Sequence, residues 1–570
     1  MPALDRRRVL QGLGALVVAP ALSPRPALER GGPGGGAFAS GVASFDPTAD
    51  GVLLWTRVTS LEPRVTLRWT VAEDEGLTRI VRTGTARAEA EADHCVTVPV
   101  DGLPPGRTWW YGFEAPGGQR SPVGRTRTMP AGPAERVRLG LVSCSRYAAG
   151  GFAAYRALAE REVDLVVHLG DYIYEDGRAD ARAHDPPEEL RTLEQYRRRY
   201  AQHRLDPDLQ ALHARHPMVS VWDDHELADN AWSGGARAHD DAIDGPWPDR
   251  RQAATTAHEE WVPGRTRRRE DGRLEAWRAL ALATDVELLV IDTRSWRDEV
   301  PRDAAAVEAS EDRTILGEAQ RAWLLDRLAR PERPAWTLVA NQVMYHPLRV
   351  PLPGGVLASQ VEEAGFLVVG DEAVNPDQWD GYAAEREAVS TAMGGRGGVV
   401  VLTGDVHSSW AWEGPANDGG QPAMVEVVAP SVTAESLGDR LPAPAALVET
   451  ALRGLDAELS HVDLSQHGYA VVELGPDDLQ AEWWYVEVDD PASQTFGAAR
   501  RAPRSVPMRL TEVDGPRPDP VPTTAPPSTT TTAPVAPRRD DGFELPWPLA
   551  GGAAAVAATV AAAVALRRRR

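Results

Sequence analysis

Five short segments of the sequence carry side chains that proteins use to bind metal ions, and each segment follows an apolar run. They supply a thiol, phenols, imidazoles, carboxylates and amides, which are ligands of transition metals and of calcium. Open α/β sheets hold ligands at the carboxyl ends of their strands, so these segments are expected to meet there. The combination predicts a polynuclear metal site. The segments are Ser143-Cys144-Ser145-Arg146, Gly170-Asp171-Tyr172-Ile173-Tyr174-Glu175, Trp222-Asp223-Asp224-His225-Glu226, Ala340-Asn341-Gln342 and Gly404-Asp405-Val406-His407.

The apolar runs predict the elements that position these segments. A strand at 138–142, a helix at 152–160 and a strand at 163–169 make a β-α-β unit, which is typical of a layered α/β domain. Residues 37–130 instead show short alternating strands between turn residues, which predicts a small all-β sandwich. Further runs predict buried strands at 218–222, 286–292, 336–340, 398–403 and 424–428.

Three of the segments resemble the motifs of the calcineurin-like metallophosphoesterases, namely Gly170-Asp171, Asp224-His225-Glu226 and Gly404-Asp405-Val406-His407. More narrowly, the chain resembles the PhoD-like alkaline phosphatases and phosphodiesterases. Where the broader superfamily has Asp-x-His after its first strand, this chain has Ser143-Cys144-Ser145, which agrees with the PhoD-like branch. Further segments that carry the resemblance are Gly41-Val42-Ala43-Ser44, Leu54-Trp55-Thr56-Arg57, Asp292-Thr293-Arg294 and Asp380-Gly381-Tyr382.

The resemblance implies a fold and a domain order. A metallophosphoesterase β-sandwich of two sheets flanked by helices, α/β in class, is expected at 135–512, and an immunoglobulin-like β-sandwich at 37–130. It also implies ferric iron and calcium as cofactors, with one or two calcium ions, and phosphate-ester hydrolysis as the activity.

The ligand types agree with two kinds of metal. Cys144, Tyr174 and His407 are candidate ligands of ferric iron, because thiolate and phenolate suit that ion. Asp224 and Asp405 supply only oxygen, as calcium prefers, and Asn230 or Asn341 would add to them. Asp171 is the candidate bridge between both kinds of ion. Zinc and manganese stay open as alternatives, because mixed nitrogen and oxygen ligands do not select one metal by affinity alone.

Other residues have candidate roles in catalysis and substrate binding. His225 is expected to donate a proton to the leaving oxygen, and its alternatives are a metal ligand or a buried structural histidine. Arg146 and Arg294 are candidate phosphate clamps, because arginine is always charged and binds phosphate through two nitrogens. A disulfide between Cys144 and Cys95 is the alternative to a metal ligand at Cys144.

The chain ends carry candidate targeting segments. Arg6, Arg7 and an apolar stretch resemble a twin-arginine signal peptide over 1–36, which implies the twin-arginine export machinery as a partner. A Pro/Thr-rich stalk is predicted at 513–543, a transmembrane helix at 546–566 and a basic cytoplasmic tail at 567–570. Together these segments predict an exported protein, anchored by its C-terminus on the extracellular side of a bacterial membrane.

The function predicted for the chain is that of an exported metallophosphoesterase that hydrolyses phosphate esters at the cell surface through a metal-activated water. The first alternative is a phospholipase D-like or teichoic-acid-type phosphodiesterase. The second is a surface binding protein with a structural metal site. Lys and Arg total 61 against 83 Asp and Glu, a net charge of −22, so nucleic-acid binding is not expected.

Overall fold

Two large mixed β-sheets form the centre of the molecule. We describe it from a computed structural model over residues 36–237, 239–351, 366–414, 420–440 and 444–519. Strands are numbered in chain order. The ten-stranded sheet has the spatial order β26 (Thr511–Glu512), β25 (Asp490–Pro503), β24 (Asp478–Glu487), β23 (Gly468–Leu474), β8 (Val137–Val142), β9 (Leu165–His168), β10 (Met218–Ser220), β1 (Val42–Phe45), β2 (Gly51–Arg57) and β5 (Cys95–Asp101).

A seven-stranded sheet packs against this ten-stranded sheet. Its spatial order is β13 (Arg278–Ala283), β14 (Val286–Val290), β15 (Trp336–Ala340), β19 (Val399–Thr403), β21 (Met424–Val428), β20 (Ser409–Glu413) and β22 (Leu459–Asp463). Successive side chains of a strand point to opposite faces of the sheet. Every second side chain therefore packs in the layer between the two sheets. Leu139 and Leu141 of β8 share one buried cluster with Val400 and Leu402 of β19. Val399 and Val401 belong to a second cluster on the opposite face.

Helices cover the outer faces of both sheets. Those that share the buried cluster of the ten-stranded sheet are Ala153–Ala159, Leu193–Arg204, Pro207–Arg215 and Trp247–Trp261, and those on the seven-stranded sheet are Glu318–Ala329 and Ala383–Met393. The described residues also include the helices Asp241–Asp244, Ala304–Glu308, Leu437–Arg440 and Ala445–Leu455. Two small sheets comprise β11 (Arg267–Arg268) with β12 (Leu274–Glu275), and β16 (Arg349–Pro351) with β18 (Glu372–Val374) and β17 (Leu367–Val369). Helix-covered mixed sheets confirm the layered α/β class.

The N-terminal strands do not form a separate pair of sheets. β1, β2 and β5 extend the ten-stranded sheet, and β1 runs parallel to β10, with Phe45 opposite Met218. A four-stranded sheet packs on this extension, and residues from both layers share one buried cluster. Its order is β4 (Ile80–Glu89), β3 (Arg64–Ala72), β6 (Thr108–Glu114) and β7 (Gly124–Arg127). Residues 37–130 therefore do form two packed layers, and their immunoglobulin-like nature stays a prediction.

The predicted membrane anchor needs correction. No helix within the described ranges is long and apolar enough to cross a membrane. The candidate helix at 546–566, like the signal at 1–35 and most of the stalk, lies outside the described residues. Alanine makes up most of 549–566, and its small side chain adds little apolar surface. We therefore withdraw the C-terminal anchor and the extracellular, membrane-tethered location that depended on it.

Candidate metal centre

Two glycines allow the strand ends that carry the candidate ligands to approach each other closely. Gly170, which follows β9, has a φ of +104°, and a Cβ atom on it would lie 2.5 Å from Cβ of Asp223. A Cβ atom on Gly404, which follows β19, would lie 2.9 Å from Cβ of Ser143. Only glycine avoids these clashes, so Gly170 lets the ends of β9 and β10 approach each other within one sheet, and Gly404 lets the end of β19 approach the end of β8 across the two sheets.

The backbone is left-handed at five of the eight predicted metal ligands. The φ angles are 60° at Cys144, 57° at Asp171, 51° at Asn230, 61° at Asp405 and 52° at His407. Such a conformation costs about 1–3 kcal/mol for a residue with a side chain, and it persists where surrounding packing enforces it. The left-handed conformation occurs at five candidate ligands. This indicates that the directions of their side chains are maintained at a cost in local stability.

One compact group combines sulfur, oxygen and nitrogen ligand atoms. Those of Cys144, Asp171 and His407 lie within 4.8 Å of one another, and all three side chains are buried. The hydroxyl of Tyr174 donates a hydrogen bond of 2.9 Å to Oδ2 of Asp171 and lies 3.1 Å from Nε2 of His407. Nδ1 of His407 lies 2.8 Å from the carbonyl oxygen of Glu435, which fixes the ring orientation. These four side chains, which the sequence predicts as metal ligands, therefore lie together.

The electrostatics of this group favour a bound cation. Burial raises the pKa of Cys144 and of Asp171 well above their usual values, because the anionic forms lose solvation. Burial lowers the pKa of His407 to about 3, which keeps the imidazole neutral, as ligation requires. Oδ1 of Asp171 is buried and has no hydrogen-bond partner among the described residues. A metal ion would satisfy that oxygen and stabilise both anions.

A second group contains only carboxylate ligands. Oxygens of Asp223, Asp224 and Asp405 lie within 4.8 Å of one another. The guanidinium of Arg294 contacts all three: it donates to Asp223, donates over 2.9 Å to Asp405 Oδ1, and lies 3.6 Å from Asp224 Oδ1. Gln378 donates over 2.6 Å to the other Asp405 oxygen. Arg294 is fully buried, so its donors are engaged within the protein and do not face solvent.

Asp377 adds a fourth carboxylate to this second group. It accepts hydrogen bonds from Arg294 at 2.8 Å and from Arg297 at 2.8 Å. Four carboxylates therefore face two guanidinium groups, which leaves two negative charges uncompensated when all are ionised. Oδ2 of Asp223 is also buried without a hydrogen-bond partner among the described residues. Both features fit a divalent cation bound by oxygen atoms.

Asp171 connects the two groups. Its carboxylate also lies within 4.8 Å of ligand atoms of Asp224 and His225. Nδ1 of His225 lies 2.7 Å from Oε2 of Glu175, and its ring centroid lies 4.2 Å from that of Tyr174. Burial lowers the pKa of His225, but the carboxylates of Glu175, Asp224 and Asp171 outweigh it, and the net pKa lies well above the usual value. This shift favours the protonated imidazole beside the candidate bridge.

Glu226 holds the backbone of this site together. Its carboxylate accepts backbone hydrogen bonds of 3.0 Å from Asp171, 2.6 Å from Tyr172 and 2.8 Å from Asp223. The acceptor thus ties the ends of β9 and β10 to each other. Burial raises the pKa of Glu226 to about 7. The sequence places Glu226 in the Asp-His-Glu motif, but gives no signal for this backbone role.

Other predicted site residues lie outside the two groups. Asn230 contacts Asp224 through its backbone N–H, which donates over 2.5 Å. The amide of Asn341 is buried, and its oxygen accepts a 3.1 Å hydrogen bond from Trp379 Nε1. Arg146 is nearly buried and lies 3.4 Å from Asp176. Cys95 and Cys144 are both free thiols, so the alternative disulfide does not form.

Comparison with known proteins assigns the family. The model of the PhoD-like phosphatase family matches residues 139–483, which hold every candidate ligand. The chain belongs to the PhoD-like phosphatases. The N-terminal domain model of the PhoD-like phosphatases matches residues 25–130.

Similarity to two individual proteins supports the family assignment. Alkaline phosphatase D of Bacillus subtilis (strain 168) is 34% identical over 399 residues, which cover 66% of this chain and 65% of that protein. The solved structure of PhoD is 28% identical and superposes with a TM-score of 0.74, covering 84% of this chain and 93% of PhoD. The fold of this PhoD-like phosphatase is thus shared over most of its described length.

Proposed function

We propose that the chain is a metal-dependent phosphoesterase that hydrolyses phosphate esters. The observation that carries the proposal is the position of Asp171, a buried carboxylate shared by two adjacent ligand groups. Two-metal sites of this kind are suited to displacement at phosphorus. Membership of the PhoD-like phosphatases and the 34% identity with alkaline phosphatase D support the same activity.

The two ligand groups differ in the ions they would hold. Cys144, Tyr174, Asp171 and His407 would hold ferric iron, because a thiolate and a phenolate stabilise its high charge. Asp224 and Asp405, with Asp171 as the bridge, would hold one or two calcium ions through oxygen alone. When bound, the metal ions would activate a water molecule as the nucleophile and neutralise charge on the phosphate oxygens.

The chain's own residues would orient the ligands and move the proton. Arg294 holds Asp223 and Asp405 in place, so we propose it as a positioning cation. Glu175 fixes Nδ1 of His225, which leaves Nε2 to donate a proton to the leaving oxygen of the ester. Arg146 remains the candidate phosphate clamp, because its Nε is buried without a hydrogen-bond partner among the described residues.

The proposal is tested by initial rates on p-nitrophenyl phosphate and bis-p-nitrophenyl phosphate, with and without added Ca²⁺. We expect Ca²⁺-dependent turnover of at least one ester, with loss of that dependence in Asp405→Asn. The control variant Asp312→Asn removes an exposed carboxylate and should keep wild-type rates. Absence of turnover of both esters after reconstitution with iron and calcium would overturn the proposal.

A further inference from the structure

One cavity is lined by residues from two chain segments that also carry residues of the candidate metal centre. The cavity has a volume of about 220 Å³ and is lined by the helix Trp247–Trp261, the β11–β12 hairpin and the turn after β14. Trp222, in its wall, directly precedes Asp223, and Ser295 directly follows Arg294. Residues that line the cavity are therefore sequence neighbours of residues in the candidate metal centre. None of the candidate metal ligands lines the cavity.

Two arginines in this cavity form no direct ion pair among the described residues. Neither Arg251 nor Arg273 has a guanidinium nitrogen within 4.0 Å of a carboxylate oxygen in the described part of the chain, whereas many other arginines form such pairs. Arg251 donates over 2.9 Å to the carbonyl oxygen of Ser233, and Arg273 over 2.8 Å to that of Ser295. Nε of Arg273 is buried and has no acceptor among the described residues. Both guanidinium groups therefore have N–H groups that donate no hydrogen bond among the described residues.

The surroundings hold these charges in place without a direct ion pair. The Arg273 guanidinium lies 3.8 Å from the ring centroid of Trp296. Burial lowers the pKa of Arg251 and the charge of Arg273 lowers it further, while the charge of Asp271 raises it; the net pKa lies below the usual value. Asp249 and Asp271 also line the cavity, but both are exposed, and Asp271 accepts its 3.0 Å hydrogen bond from the backbone N–H of Arg273.

The geometry points to a binding site for a small oxyanion of the phosphate class in this cavity, held between Arg251 and Arg273. A phosphate would supply the acceptors that both guanidinium groups lack, and arginine matches its geometry through two parallel hydrogen bonds. A phosphate bound by both arginines would link the helix Trp247–Trp261, which carries Arg251, to the β11–β12 hairpin, which carries Arg273. The site is separate from the candidate metal centre and does not require the proposed hydrolysis.

Equilibrium dialysis with radiolabelled inorganic phosphate tests the site on the full chain with its metals bound. We expect two phosphate equivalents per wild-type chain, one at the metal centre and one at the cavity. Arg273→Gln and Arg251→Gln should each bind one equivalent. Asp171→Asn should retain the cavity equivalent and lose the other, so failure of the metal-centre function is distinguishable from failure of this site.

Controls separate binding from folding. Arg302→Gln removes an exposed arginine that does not line the cavity. This variant should still bind two phosphate equivalents. The melting temperature of each variant identifies any fold defect, and Arg251→Gln serves if Arg273→Gln is unstable, because Arg273 also supports Ser295. The inference is overturned if a stable Arg251→Gln or Arg273→Gln chain binds as much phosphate as the wild type, or if the wild type binds a single equivalent that Asp171→Asn abolishes.

Discussion

Oε2 of Glu175 lies 2.7 Å from Nδ1 of His225, and this pair gives the candidate proton donor a fixed orientation. The other carboxylate oxygen, Oε1, accepts a 2.6 Å hydrogen bond from the backbone N–H of Asp229. Glu175 is therefore anchored on one side and holds the imidazole on the other. An oriented and charged imidazole is what general-acid catalysis needs.

Glu175→Gln is expected to lower kcat by about 10- to 100-fold with little change in KM, because it removes the charge that orients His225. Glutamine keeps an acceptor for the Asp229 N–H, so the loop should keep its fold. The loss should be larger for phenyl phosphate, whose leaving group needs a proton, than for p-nitrophenyl phosphate. Steady-state rates on both esters give the comparison.

Glu188→Gln is the matched control, since it changes an exposed carboxylate in the same connection between β9 and the helix Leu193–Arg204. It should leave both rates unchanged. Equal losses on the two esters in Glu175→Gln would show that Glu175 does not act through proton donation.

Arg294→Met is expected to reduce the free energy of unfolding by about 3–5 kcal/mol, because it leaves buried carboxylates without their counter-ion. Denaturant unfolding of the metal-free chain measures the change, with Arg302→Met at the surface as the control. A variant with wild-type stability and a raised KM would instead identify Arg294 as the phosphate clamp predicted from the sequence.

Acid should destabilise the protein through buried neutral histidines. Burial, with the charges of Arg125 and Arg215, lowers the pKa of His216 to about 3. In the unfolded state a histidine binds a proton near pH 6.5. His216 therefore lowers the free energy of unfolding by about 1.4 kcal/mol for each pH unit as the pH falls from about 6.5 towards 3.

His216→Gln should therefore make the free energy of unfolding less dependent on pH in this window. Urea unfolding at a series of pH values measures the slope for both chains. The same slope in the variant and the wild type would mean that His216 titrates alike in the folded and unfolded states.

That these residues of the candidate site lie close together was predictable because they follow strands. Cys144, Asp171, Asp224, Asp405 and His407 each come shortly after an apolar run, and the strand ends meet as the sheet topology requires. These local signals need no knowledge of distant contacts. The predicted strands at β8, β9, β15, β19 and β21 agree with the structure for the same reason.

Contacts between distant residues were not predictable. Asp377 stands in no motif, and only folding brings it to Arg294, 83 positions earlier in the chain. The pairing of Phe45 with Met218, which continues the central sheet into the N-terminal strands, has no local signal either. Much of the segment 176–217 forms two helices, and their residues Tyr196, Tyr200 and Leu209 belong to the buried core, a packing with no local signal in the sequence.

Asp171 is proposed to be shared by two metal-ligand groups, and elemental analysis of purified Asp171→Asn beside the wild type is the sharpest test of this role. We expect iron and calcium in the wild type, loss of both in Asp171→Asn, and wild-type content in the control Asp312→Asn. A folded Asp171→Asn chain that retained the wild-type amounts of both metals would show that Asp171 bridges no metal ions.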